Sequence, residues 1–91
     1  MVRIENWFVI QRGNAYQAPE LISSHLVGEI YNYPNKEDGK LITTSKIIGA
    51  KPEDNIIICE SREYLLGEID PEYEKQFPNA KEKLFKVLTN G

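Results

Sequence analysis

One set of side chains in this sequence combines aromatic hydroxyls, aliphatic hydroxyls and a guanidinium. Its members are Tyr31, Tyr33, Thr44, Ser45, Arg62 and Tyr64. Aromatic rings stack on planar bases, hydroxyls donate and accept hydrogen bonds, and a guanidinium holds a phosphate through two parallel hydrogen bonds. These residue types together predict a binding surface for a small anionic ligand of nucleotide type.

The same side chains also have a purely structural interpretation. Tyrosine rings cover the faces of small sheets while their hydroxyls stay hydrated, and threonine is common in strands. Arg62 follows Glu60 and precedes Glu63, so its charge is available to acidic neighbours. The sequence leaves both interpretations open.

Nucleophilic catalysis has little support in the sequence. A pair formed by Cys59 and His25 would need the base held against the thiol, together with donors for an oxyanion. Cys59 ends an apolar run, where a cysteine usually behaves as an inert small hydrophobe, and His25, the only histidine, lies where a loop joins a strand. We therefore predict a protein without catalytic residues and without enzymatic activity.

Metal and cofactor sites have equally little support. A thiolate cage needs more than one cysteine, and His25 with scattered carboxylates lacks the one-face helical spacing of a metal site. The glycines are isolated and do not form a phosphate-cradling loop. We expect no metal and no cofactor.

The charge distribution narrows the class of partner. The net charge is -3, and residues 51–70 carry six acidic against two basic side chains. Duplex nucleic acid normally requires a basic stripe with many phosphate contacts, so we expect none to bind. The acidic stretch supports an alternative function, a protein-interaction module or inhibitor that acts through this face or through an exposed strand edge.

Length and cysteine content predict one domain over residues 1–91, in a reducing compartment. A single cysteine excludes an intramolecular disulfide, and the first ten residues form neither a signal sequence nor a membrane span. We expect a soluble cytoplasmic protein that does not bind membranes. Apolar residues at Trp7, Phe8 and 56–58 also lead us to expect a homo-oligomer.

Periodicity predicts a mainly β (α+β) fold with five short strands. The strands are expected at 7–11, 26–33, 40–48, 56–59 and 64–69, separated by turn residues. Residues 15–24 are irregular and predict a loop with one helical turn at 19–22. Asp38 and Gly39 predict a hairpin, and the even spacing favours a small antiparallel barrel-like or curled sheet in which 56–59 is the most buried strand.

The C-terminal residues predict one or two short helices. Asp70 followed by Pro71 has the pattern of a helix start. Asn79 and Glu82 form a capping-box pattern before an apolar stripe at 84, 85 and 88. We expect this second helix to cover one end of the sheet.

Short motifs between residues 28 and 73 carry a resemblance. They are Gly28, Asp38-Gly39, Thr44-Ser45-Lys46-Ile47, Ser61, Tyr64-Leu65-Leu66-Gly67 and Asp70-Pro71-Glu72-Tyr73. In these motifs the chain resembles small uncharacterised β proteins of bacteriophages and bacteria. Tyr33-Pro34 stands where that pattern has His-Pro, so a role for the histidine does not transfer to this chain.

The resemblance implies a phage counter-defence protein that acts in the host cytoplasm. Some such proteins sequester the nucleotide signals of bacterial immunity, and others block a host defence protein directly. Sequestration is our leading expectation and a protein partner is the alternative. An enzyme that cleaves such a signal is a third option.

Overall fold

Six strands form one sheet in the computed structural model, which describes residues 1–13 and 23–90. The fold is mainly β, as predicted, with two short helices at the C-terminal end. Most of the predicted loop at 15–24, and its helical turn at 19–22, lie outside the described residues. The elements are β1 (Arg3–Arg12), β2 (Ser23–Tyr31), β3 (Lys40–Thr43), β4 (Ile47–Lys51), β5 (Ile56–Cys59), β6 (Glu63–Leu66), α1 (Pro71–Gln76) and α2 (Ala80–Asn90).

The sheet is mixed, so the prediction of five antiparallel strands was wrong. Its strand order is β3-β2-β1-β6-β5-β4, and the central pair, β1 with β6, is parallel. That pair is short, with Ile4 opposite Leu66, and an isolated bridge from Trp7 to Ile69 extends it. A parallel contact between strands so far apart in the chain leaves no local signal in the sequence.

The predicted strand at 40–48 is two strands, β3 and β4, at opposite edges of the sheet. Between them Thr44 N donates to Leu26 O at 2.8 Å, and Lys46 O accepts from Glu60 N at 2.9 Å. The Thr44 hydroxyl also donates to Ser45 O at 2.8 Å, a local hydrogen bond of the kind that competes with ladder pairing. The link has three residues, so Thr43 and Ile47 at the ends of the two edge strands lie at most about 14 Å apart, and the sheet must curl to bring them this close. Because β3 and β4 do not pair, the sheet is not a closed barrel.

The hairpin predicted at Asp38 and Gly39 is confirmed. It joins β2 to β3, which pair antiparallel. Gly39 has φ 86°, and its N–H donates to Ile30 O at 2.7 Å. Glycine adopts a positive φ without steric strain, which explains why this turn has a glycine at position 39.

The core lies on the inner face of the curled sheet. Its fully buried side chains come from four strands and are Ile4, Trp7, Leu26, Ile30, Ile57 and Tyr64. Strand β5 is the buried run predicted at 56–59. Of the residues on which the oligomer expectation rested, Trp7, Ile56 and Ile57 are buried in their own chain, whereas Phe8 and Ile58 are half-buried. A homo-oligomer stays a prediction.

Strand β1 begins four residues earlier than predicted. Its pairing with β2 shifts between Glu5 and Phe8, and Asn6 in this bulge has φ 50°. A bulge interrupts the alternation by which a strand is recognised. Trp7 then enters the core, where its Nε1–H donates to Gly67 O at 3.1 Å.

Both helices begin where the sequence predicts. Asp70 caps α1, and its Oδ1 accepts from Glu72 N at 2.8 Å and Tyr73 N at 3.3 Å. Asn79 precedes α2 with φ 65°, which is not the extended backbone that a capping box requires, so that detail was wrong. The stripe at 84, 85 and 88 packs on the core, as predicted. No helix in the described residues is long and apolar enough to cross a membrane.

Candidate functional site

Arg62 and Tyr33 form the centre of the candidate site. The turn between β5 and β6 fixes the backbone of Arg62, because Arg62 O accepts from Cys59 N at 3.0 Å. From there the half-buried guanidinium reaches the Tyr33 ring, with its central carbon 4.2 Å from the ring centre. That distance lies well within the range of a cation–π contact.

Lys36 adds a second cation to the same ring. Its Nζ lies 5.5 Å from the centre of Tyr33, so the two charges are within about 10 Å of each other. A turn returns Lys36 to this position, since Lys36 N donates to Tyr33 O at 3.1 Å. Pro34 and Asn35, the latter with φ 64°, are the residues that a type II turn prefers at its two central positions.

Arg62 forms no ion pair with any residue that the structure describes. The two pairs found there are Arg3 with Glu5 at 2.7 Å and Lys51 with Glu63 at 3.3 Å. The structural interpretation assigned Arg62 to its acidic neighbours, but Glu63 is engaged by Lys51. Among the described residues, no carboxylate therefore neutralises the charge of the Arg62 guanidinium.

Tyr64 lies beneath this surface, in the core. It is 2% exposed, and burial raises its pKa to about 12, with smaller contributions from Tyr33 and Cys59 that the charge of Arg62 opposes. A hydrogen bond to Tyr33 also favours the protonated form. Tyr64 therefore contacts Tyr33 from the core side. The sequence-based hypothesis required Tyr64 to be exposed to a ligand, and it is buried.

Thr44 and Ser45 hold the loop beside Arg62. Thr44 is buried, and its Oγ1 accepts from Leu26 N at 3.0 Å. Ser45 Oγ lies 2.9 Å from Ser61 Oγ and accepts from Ser61 N at 3.0 Å. These contacts join the 44–46 link to the turn that carries Arg62. Thr44 is a scaffold residue, whereas the Ser45–Ser61 pair is at the surface next to Arg62.

Tyr31 contacts a different arginine. Alternation along the strand predicted at 26–33 would place Tyr31 and Tyr33 on one face, but β2 ends at Tyr31 because Asn32 has φ 64° and turns the chain. The Tyr31 ring lies 4.9 Å from the guanidinium carbon of Arg3, and its hydroxyl donates to Glu29 at 3.4 Å. The structure therefore assigns Tyr31 to a neighbouring but separate cluster.

We call Tyr33, Lys36 and Arg62, with the hydroxyls of Ser45 and Ser61, the Arg62 cluster. The sequence-based prediction missed Lys36, although the turn preference of Pro34 and Asn35 was a readable signal. A cleft of about 600 Å³ lies in the adjoining hairpin and is lined by residues 35–40, which include Lys36. The cluster brings two cations and two hydroxyls into one region of the surface.

His25 and Cys59 do not form the pair that nucleophilic catalysis would need. His25 Nδ1 donates to Thr44 O at 2.9 Å, because a carbonyl oxygen can only accept, and Nε2 lies 2.7 Å from Ser23 Oγ. Cys59 Sγ contacts Thr44 Oγ1 at 3.5 Å, and burial raises the pKa of the thiol. The sequence analysis did not predict the contact of Ser23 with His25. It gives a ring nitrogen of the buried histidine a hydrogen-bond partner. A serine hydroxyl beside an imidazole is also the arrangement of a nucleophile and its base.

Among the residues that the structure describes, no three metal-binding side chains are grouped to hold an ion. Further clefts lie elsewhere in the described part of the chain, and two of them differ in character. One, of about 430 Å³, is lined mainly by polar residues that include Glu5 and Glu68. The other, of about 280 Å³, lies between the helices and the sheet.

Comparison of the chain with protein-family models, curated proteins and solved structures found no match.

Proposed function

We propose that the protein binds a small anionic ligand of nucleotide type at the Arg62 cluster and acts without catalysis. The observation that carries this proposal is the position of Arg62. Its guanidinium lies 4.2 Å from the Tyr33 ring centre, and it has no carboxylate partner among the described residues. A cation held on a ring in this way is ordered before the ligand arrives, which lowers the entropy cost of binding.

A nucleotide matches both properties of a stacked guanidinium. The edge of the group donates two parallel hydrogen bonds to a phosphate, and its outer face can stack on a base. Lys36 supplies a second positive charge within about 10 Å, and the pair of Ser45 and Ser61 supplies hydroxyls. A phosphate-bearing ligand with a planar base uses all of these groups.

The biological role we propose is sequestration of a nucleotide immune signal by a phage-type counter-defence protein. Its support is the resemblance of the motifs between Gly28 and Tyr73, and these motifs include Ser45 and Ser61 of the cluster. Sequestration requires tight stoichiometric binding and no turnover.

Calorimetric titration of the folded protein with cyclic dinucleotides and ADP-ribose derivatives tests the proposal. We expect saturable binding of at least one of these ligands, and recovery of that ligand unchanged after long incubation. Absence of heat from every ligand, with the protein shown to be folded by circular dichroism, would overturn nucleotide binding. Conversion of the ligand would instead identify an enzyme.

A second candidate is a protein-interaction module that acts through a strand edge. The edge strands β3 and β4 each carry an exposed apolar residue, Leu41 at 64% and Ile48 at 58% exposure. An extended segment of a partner can add to such an edge through backbone hydrogen bonds. A stoichiometric host partner that binds the wild type and not Leu41→Lys or Ile48→Lys would favour this function.

A further inference from the structure

A groove separate from the Arg62 cluster lies between the two helices and the sheet. Helix α2 contributes four residues that share one helix face because of their spacing, namely Ala80, Lys83, Leu84 and Val87. Tyr73 and Phe77 form the other wall, and Val9 contributes from the sheet. The groove has a volume of about 280 Å³ and is lined by Val9, Gln11, Ser24, Tyr73, Phe77, Ala80, Lys83, Leu84 and Val87. We call it the helix groove.

Aromatic contacts hold one wall of the helix groove in place. The ring centres of Phe8 and Tyr73 are 6.2 Å apart, and those of Tyr73 and Phe77 are 5.1 Å apart. Both distances are typical of favourable aromatic pairs. The wall is therefore formed without a ligand.

Exposed apolar residues border the helix groove. Phe77 is 52% exposed and Val87 is 69% exposed, and both line it. They are two of the five exposed large apolar side chains in the described residues. A ligand that covers them would remove apolar surface from water, which is favourable in proportion to the area.

The charge at the helix groove determines the kind of occupant. Among the described residues that line it, Lys83 is the only charged one, and the other polar groups belong to Gln11, Ser24 and the Tyr73 hydroxyl. A second copy that docked groove to groove across a two-fold axis would place both Lys83 side chains in one interface, where the two like charges oppose self-association. An apolar molecule with a negative head group complements the same charge.

We infer that the helix groove binds an apolar monocarboxylate of medium chain length, with the chain against Leu84 and Val87 and the carboxylate at Lys83. The volume is at the small end of the range for ligand pockets, so it accepts a single short chain. This site is independent of the Arg62 cluster, and its ligand differs from a nucleotide in being mostly apolar.

Displacement of the fluorescent sulfonate 1-anilinonaphthalene-8-sulfonate by octanoate, decanoate and decanol tests the inference. We expect saturable competition by decanoate, tighter than octanoate by about fourfold for each added methylene that is buried. Decanol should compete less well because it lacks the charge. No saturable competition by decanoate, or equal competition by decanol, would overturn the inference.

Two matched variants locate the site. Lys83→Glu should weaken decanoate binding by about fivefold or more, because an attraction becomes a repulsion. Lys86→Glu makes the same charge change at an exposed position of α2 that does not line the groove, and it should leave binding within about twofold. Equal effects of the two variants would overturn the assignment to Lys83. A dimer that Val87→Asp dissociates would also overturn it, by showing that a second copy covers the groove.

Discussion

Arg62 and Arg3 each place a guanidinium on a tyrosine ring, but within the described part of the chain only Arg3 has a carboxylate partner. The guanidinium carbon of Arg62 lies 4.2 Å from the centre of Tyr33, and that of Arg3 lies 4.9 Å from the centre of Tyr31. Arg3 also pairs with Glu5 at 2.7 Å, whereas Arg62 pairs with no carboxylate of the described residues. The two sites form a natural comparison between an arginine that is structural and one that we propose is available to a ligand.

Replacement of Tyr33 should weaken ligand binding more than stability. Tyr33→Leu removes the ring that orders Arg62, so we expect about tenfold weaker binding of the tightest nucleotide found by calorimetry. The cation–π contact itself should cost only about 1 kcal/mol of unfolding free energy in urea. Tyr31→Leu is the control and should leave the affinity unchanged. Equal loss of affinity in both variants would contradict a specific role for Tyr33.

Removal of the Thr44 hydroxyl should destabilise the fold. Thr44→Val keeps the shape but leaves the buried Leu26 N–H, now 3.0 Å from Thr44 Oγ1, without that acceptor. We expect a loss of about 1–3 kcal/mol in the free energy of unfolding, measured by urea denaturation. Thr44→Ser keeps the acceptor and should lose less. A Val variant as stable as the wild type would show that this hydrogen bond is dispensable.

The raised pKa of the Tyr64 hydroxyl should make the folded protein less stable at high pH. Its pKa is about 12 in the folded chain against an ordinary value of 10.0, so between these values the unfolded chain releases a proton that the folded chain retains. The free energy of unfolding therefore decreases as pH rises from about 10 to about 12, by on the order of 2 kcal/mol from this residue. Urea denaturation of Tyr64→Phe should show a smaller decrease over that range. An identical decrease in both proteins would contradict the raised pKa.

Gly28 should tolerate no side chain, in contrast to Gly49. A Cβ at Gly28 would lie 2.7 Å from Ile4 Cγ1 and 2.9 Å from the backbone oxygen of Glu5, whereas the nearest atom at Gly49 is 3.7 Å away. We expect Gly28→Ala to cost about 1–3 kcal/mol of unfolding free energy through overpacking. Gly49→Ala should be neutral, or stabilising by about 0.5–1 kcal/mol. Equal stability of the two variants in urea would contradict the close packing at Gly28.

Local features of the fold were predictable from the sequence. The strand at 56–59, the hairpin at Asp38 and Gly39, and the helix start at Asp70 each depend on neighbouring residues, and the structure has all three. The division of 40–48 into two edge strands depends on bonds from Thr44 and Lys46 to residues distant in sequence. The parallel pairing of β1 with β6 likewise has no local determinant.

The candidate site was predictable only in part, because it too depends on contacts between residues that are distant in the sequence. Tyr33 and Arg62, which the sequence analysis named as candidate binding residues, are in contact although they are far apart in the chain. Tyr31 was misplaced because a left-handed residue, Asn32, breaks the alternation on which the prediction rested. Tyr64 was misplaced because its burial follows from the curl of the whole sheet.

The availability of Arg62 to an anion can be measured directly by an NMR titration. Inorganic diphosphate would be added to the ¹⁵N-labelled protein while the Nε–Hε resonances of Arg62 and Arg3 are followed, with assignments from Arg62→Lys and Arg3→Lys. We predict a saturable shift of the Arg62 resonance and little change at Arg3, because Arg3 already forms an ion pair with Glu5. No shift at Arg62, or equal shifts at both arginines, would contradict an anion site at the Arg62 cluster.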